Sequence, residues 1–120
     1  MSKMRGIKPD LWTDDDLIEC SPLARLLFIG MWNFMCDNGH LADKPRQIKL
    51  RVLPADACDV DKLLDELVGH DLIERRDGFV KATNLPVHQR IDKRYLALCG
   101  FCEHDPQSMF GPGDHMGKKQ

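Results

Sequence analysis

The sequence predicts an α+β domain in which short amphipathic helices precede a tight β-hairpin, and three observations carry that prediction. Apolar residues recur at helical spacing between Pro22 and Phe34. Val60, Leu63, Leu64, Leu67 and Val68 fill the complete i, i+3, i+4, i+7, i+8 pattern. Asp77-Gly78, a pair tolerant of positive φ, lies between the apolar pairs Leu72-Ile73 and Phe79-Val80. At 120 residues the chain is expected to hold one domain with a real but small core.

Residues 1–12 read as an arm bearing Lys3, Arg5 and Lys8, docked by Leu11 and Trp12. Thr13 is placed to cap a brief helix through Asp14, Asp15, Asp16 and Glu19, where a hydroxyl accepts an orphan amide and acids suit the positive end. Ser21-Pro22 starts the next helix, because serine caps while proline at the first helical position loses no needed hydrogen bond. Its inner stripe is Leu23, Leu27, Met31 and Phe34, broadened by Leu26, Ile29 and Trp32, and Asp37-Asn38-Gly39 is its stop. His40, Leu41 and Ala42 suit a very short strand. Asp43 then caps a helix over about residues 44–53, with Ile48 and Val52 inward and Pro54 at its end.

Asp59 caps the following helix, and Gly69 is its expected left-handed exit. Leu72 and Ile73 enter one strand, residues 75–78 turn, and Phe79 and Val80 return. Two strands alone are marginal, so the helices and a third strand at residues 40–42 are expected to cover them. This order is that of a winged helix-turn-helix with a small β-hairpin wing, spanning residues 13–88. Beyond it a C-terminal helical extension is expected over residues 89–103, with Tyr95, Leu98 and Cys102 on one stripe. A flexible tail follows over residues 104–120, where Met109 and Phe110 offer a docking patch for a partner or second subunit.

Net charge is -2, which excludes a general attraction to nucleic acid, but the charges are unevenly placed. Lys44, Arg46, Lys49 and Arg51 share a stretch without an acid, whereas Asp56, Asp59, Asp61, Asp65, Glu66 and Asp71 accompany only Lys62. No apolar run reaches the 18 or so residues of a membrane span and no secretion signal opens the chain, so no membrane association and a cytoplasmic location are expected. The five cysteines, Cys20, Cys36, Cys58, Cys99 and Cys102, form an odd set, in keeping with reduced thiols.

No catalytic constellation emerges. His88 lacks a partnered nucleophile and reads as a cap or surface histidine, and Asp14, Asp15 and Asp16 point in different directions on a helix. Walker-type and HExxH sequences are absent, so a non-enzymatic protein is expected. Cys99-x-x-Cys102 with His104 and His115 offers a tetrahedral Zn²⁺ set. The single residue between Cys102 and His104 makes that connection tight, and packing of Cys102 on the helical stripe, with Leu96 and Cys99 beside it, is favoured over metal.

Three segments, SPLARLLFIGMWN, LLDELVGHDLIER and HQRIDKR, lie in a joint order that resembles the amino-terminal winged-helix domain of bacteriophage replication-initiation, or replisome-organiser, proteins and related small phage proteins. The similarity covers about residues 5–94. It implies that the helix from Asp43 opens the helix-turn-helix, that the helix from Asp59 is the recognition helix, and that Arg75, Arg76 and Lys81 lie on the wing.

The outward acids Asp61, Asp65 and Glu66 repel phosphate, so the DNA contacts are expected elsewhere. Arg5, Lys44, Arg46, Lys49, Arg51, Lys62, Arg75, Arg76, Lys81 and Arg90 are the candidates for binding double-stranded DNA through its backbone. A replication-related or regulatory role in the cytoplasm of a bacterial host follows as an expectation, with homodimerisation doubling the footprint. The competing expectation is a module that binds a phage or host protein without significant DNA affinity.

Overall fold

The computed structural model describes residues 2–85 and 89–111, and there three α-helices pack on one face of a three-stranded antiparallel sheet. Ser21 starts α1 (Pro22–Met31), its hydroxyl accepting from the Ala24 amide, and the chain tightens into a 3-10 turn over Trp32–Phe34. Then follow β1 (His40–Ala42), α2 (Pro45–Val52), α3 (Val60–Gly69), β2 (Ile73–Arg76) and β3 (Phe79–Ala82). Asp59 caps α3 by accepting from the Lys62 amide. Ahead of α1 the described residues form 3-10 turns, Pro9–Thr13 and Leu17–Glu19, and Asp14 rather than Thr13 accepts from the Leu17 amide. Leu11 packs on the core as expected, but Trp12 is 63 % exposed.

Two helix ends depart from expectation for local reasons. α2 begins at Pro45 without a side-chain cap, because the Asp43 carboxylate is taken by the Arg75 guanidinium at 2.8 and 2.9 Å. At the end of α3 the left-handed residue is Asp71 (φ 60°), while Gly69 stays helical. The Leu72 amide donates to the Leu67 carbonyl and the Asp71 amide to Val68, which is a Schellman closure with aspartate in the position glycine usually fills.

In the sheet β3 is central, in the order β1-β3-β2. Asp77 (φ 52°) and Gly78 (φ 84°) make a two-residue type I′ turn, so Arg75 and Arg76 belong to β2 and not to the turn. The register pairs His40 with Lys81, Leu41 with Val80 and Ala42 with Phe79, and on the other edge Ile73 with Ala82 and Arg76 with Phe79. One face therefore carries Leu41, Ile73, Val80 and Ala82 into the main core with Leu27, Met31, Ile48, Leu64 and Leu67. The other carries His40, Phe79, Lys81 and Arg76.

That second face would meet water in a two-layer domain, yet all four residues of β3 are buried. Residues 89–111 run over it as a strap. Phe101 of the strap lies 5.2 Å from Phe79, ring to ring, and Cys102, Asp105 and Phe110 are buried.

The strap corrects two expectations. Residues 89–103 form no continuous helix but two 3-10 turns, Lys93–Tyr95 and Gly100–His104. Between them Ala97 exchanges hydrogen bonds with Asp37, its amide donating to the carboxylate and its carbonyl accepting from the Asp37 amide, which uses the backbone groups a helix would need. Residues 104–111 are also docked rather than loose. Phe110 is 7 % exposed, so of the proposed docking pair only Met109 faces outward. His88, His115 and the end of the tail lie outside the described residues. No described helix is long and apolar enough to cross a membrane.

Candidate metal centre and basic surface

The turn Cys36 to His40 is the base on which the strap is built. Gly39 adopts φ 88°, its amide donates to the Cys36 carbonyl at 2.9 Å, and an added Cβ would meet the Ala82 carbonyl oxygen at 2.8 Å. Only glycine suits that position. The tight reversal brings the Cys36 Sγ to 3.4 Å from the His40 Nδ1. The strap delivers Cys102 Sγ to 3.6 Å from each of these atoms and Cys99 Sγ to 3.9 Å from Cys102 Sγ. All four ligand atoms lie within 4.8 Å of one another, and the five cysteines of the chain are free thiols.

The surroundings favour negative sulfur and a fixed imidazole. The His40 amide, the Cys99 amide and the Asn38 side-chain amide all donate to sulfur, the first to Cys36 and the others to Cys102. The nearby Cys36 sulfur, with a smaller contribution from His40, outweighs burial and holds the Cys99 thiol below its ordinary value, while the same pairing and burial push Cys36 up. On the far side of the ring, His40 Nε2 lies 2.7 Å from Asp105 Oδ2, both side chains being fully buried. An ionised Asp105 accepts a hydrogen bond from Nε2–H, which leaves the Nδ1 lone pair facing the sulfurs. Burial alone would raise the Asp105 carboxyl, but hydrogen bonds from Lys81 (2.6 Å), His40 and Arg76 (2.9 Å) hold it well below the usual carboxylate range.

Neighbouring residues of the same turn also grip the strap. Asn38 pairs with the Phe110 backbone, donating to its carbonyl at 2.7 Å and accepting from its amide at 2.8 Å. Asp37 holds Ala97, and on its other side the Lys3 ammonium at 2.8 Å and the Arg5 guanidinium at 2.7 Å.

The Zn²⁺ set read from the sequence is thus half retained. Cys99 and Cys102 converge, but His104 is exposed and apart, and His115 lies outside the described residues. Their partners, Cys36 and His40, come from far upstream, 66 and 62 positions before Cys102. Cys36-x-x-x-His40 is a usable ligand spacing in its own right, and pairing it with Cys99-x-x-Cys102 was the available signal.

The structure divides the candidate DNA-binding residues sharply. Arg5 is sequestered, its guanidinium also donating to the Trp32 and Met35 carbonyls. Arg75 is shared by Asp43, Asp61 and Asp65, Arg76 by Glu74, Asp77 and Asp105, and Lys81 is buried against Asp105. The hairpin cations are therefore engaged by carboxylates of the same chain, and three acids around Arg75 leave that region net negative. Lys44, Arg46 and Arg51 remain exposed on or beside α2, with Arg51 stacked on Phe34 at 5.5 Å. Lys49 is half-buried and donates to the Leu53 carbonyl, while Lys62 and Arg90 are exposed singly.

A cavity of about 240 Å³ beneath the arm, lined by Leu11, Phe28, Trp32, Leu72 and Leu85 among others, shares no residue with the cysteine and histidine cluster. A second groove, about 200 Å³, is lined by Trp12, Ile18, Leu26 and neighbours. Compared with protein-family models, curated proteins and solved structures, the chain shows no match to any.

Proposed function

We propose that this chain is a non-enzymatic winged-helix protein that binds duplex DNA by backbone contacts from α2, in phage replication or its regulation. The observation that carries the reading is α2 itself. It holds Arg46, Lys49 and Arg51, with Lys44 just before its first turn, and contains no acid. Its uncapped start adds the positive end of the helix dipole to Lys44 and Arg46. The Asp43 amide donates to the Gly78 carbonyl at 3.0 Å, so this end of α2 abuts the wing turn. The element order and the β1-β3-β2 sheet support the winged-helix assignment. The phage setting rests on the resemblance of the SPLARLLFIGMWN, LLDELVGHDLIER and HQRIDKR segments.

The paired acids of α3 argue against deep insertion of that helix into a groove. Binding then has the character of phosphate contact, tolerant of sequence and sensitive to salt. A DNA titration at several salt concentrations tests this. Lys44→Glu with Arg46→Glu is expected to weaken binding to all sequences alike and to lower the salt slope by about 2. The same affinity and slope in this variant would refute the α2 surface.

A second reading has its own observation. Trp12, Ile18 and Leu26, 63 %, 51 % and 52 % exposed, line one groove suited to an apolar protein partner. Absence of DNA binding at low salt would favour it.

A further inference from the structure

We propose that Cys36, His40, Cys99 and Cys102 bind one structural Zn²⁺ that fastens the strap to the sheet. Four of the six distances between ligand atoms are those of a zinc tetrahedron, and all six lie within 4.8 Å. With Zn–S near 2.3 Å and Zn–N near 2.0–2.1 Å, tetrahedral angles place two sulfurs about 3.8 Å apart and a sulfur and a nitrogen about 3.6 Å apart. These four edges are 3.6 and 3.9 Å between sulfurs and 3.4 and 3.6 Å between sulfur and Nδ1.

The environment matches in three further respects. Asp105 behind His40 forms the carboxylate, histidine and metal relay that fixes the ring tautomer. Amide donors reach Cys36 and Cys102, as they do around coordinated thiolates. Charge is also accommodated. Three thiolates and one Zn²⁺ leave one negative charge, Asp105 adds a second, and Lys81 and Arg76 answer both.

Ligand type and number select the metal and its role. Three thiolates and one imidazole suit Zn²⁺ over the hard oxygen-seeking cations. Four protein ligands, three of them buried, close the coordination sphere and leave no position for substrate, so the ion is structural. Thiols lose their protons on coordination, so affinity falls as pH drops. The inference is independent of whether α2 binds DNA, since no α2 residue takes part.

Metal analysis of the full chain, dialysed against metal-free buffer, is expected to give one zinc per chain. Replacement by Co²⁺ is expected to give the thiolate charge-transfer and intense d–d absorption of a tetrahedral site. Cys36→Ser and His40→Ala should lose that signal, whereas His104→Ala and Cys58→Ser should keep it. Substoichiometric zinc together with a weak octahedral cobalt spectrum in the unaltered protein would overturn the proposal, and that readout does not depend on any variant folding. Full zinc retention by a folded Cys36→Ser, or loss of zinc on His104→Ala, would overturn the ligand assignment.

Discussion

Asp37→Asn isolates the hub that joins the arm, the Cys36 turn and the strap. The carboxylate is fully buried and accepts from Lys3, Arg5 and the Ala97 amide. Removing one member of a buried ion pair costs about 3–5 kcal/mol, most of it from the charge left behind. Here the stranded charge is Arg5, whose side chain is 3 % exposed but keeps hydrogen bonds to two carbonyls, while Lys3, at 29 %, regains water. The loss should therefore sit near the lower end, about 3 kcal/mol. With a urea m-value of about 1.5 kcal/mol/M, the midpoint falls by about 2 M.

The pH dependence gives an independent check on the same group. Burial raises the Asp37 carboxyl, but the hydrogen bonds from Lys3, Ala97 and Arg5 prevail and hold it below its ordinary value. A depressed carboxylate stabilises the fold fully above the unfolded-state value of about 3.9. That stabilisation is lost as pH falls through the lower folded-state value. Urea unfolding of the parent and Asp37→Asn should show a constant gap at neutral pH that closes in acid, below about pH 4. A gap under about 1 kcal/mol at pH 7, or one that persists unchanged in strong acid, would show that the arm and strap are not held through this carboxylate.

Two further substitutions test the packing. Gly30 on α1 faces Val52 of α2 so closely that a Cβ would overlap the Val52 Cγ1; Gly30→Ala should cost about 1–3 kcal/mol from overpacking, less the roughly 1 kcal/mol of helix propensity it gains, and thermal unfolding of Gly30→Ala with Val52→Ala should show non-additive rescue. Phe110→Ala, in a segment read from sequence as loose, should cost about 3–5 kcal/mol by denaturant unfolding, because the ring is buried, and a neutral result would detach the strap from the fold.

The helix and sheet layer was largely legible because its determinants are local. Ser21 and Asp59 cap where their spacing says they should, and the α3 repeat buries Val60, Leu64 and Leu67. Asp77-Gly78 makes the turn. The candidate site was not legible because its partners are remote. Asp37-Asn38-Gly39 has the composition of a helix stop, and nothing nearby shows that the carboxylate will meet Arg5 or that the amide will meet Phe110. The same remoteness misdirected the zinc reading toward His104, two residues from Cys102, when the histidine that completes the set lies 62 residues away. For the cations, sequence displays charge but not occupancy, so Arg5, Arg75, Arg76 and Lys81 read as free when folding assigns them to carboxylates.

These errors have one physical origin, a division of the interior into two kinds. Between helices and sheet the interior is apolar. Among the described residues the buried polar side chains are Asp37, Asn38, His40, Lys81, Gln89 and Asp105, and each bonds across a junction made by the arm or the strap. Gln89, for example, donates from its side chain to the Gly6 carbonyl at 2.8 Å. Apolar contact is tolerant of sliding, whereas a buried carboxylate must meet specific donors or lose several kcal/mol. The polar layer therefore fixes the position of a strap that has little regular secondary structure to fix it. It also takes up Lys3, Arg5, Arg76 and Lys81 on Asp37 and Asp105, while Arg75 is held by Asp43, Asp61 and Asp65, so the exposed cations of α2 stand apart from these ion pairs.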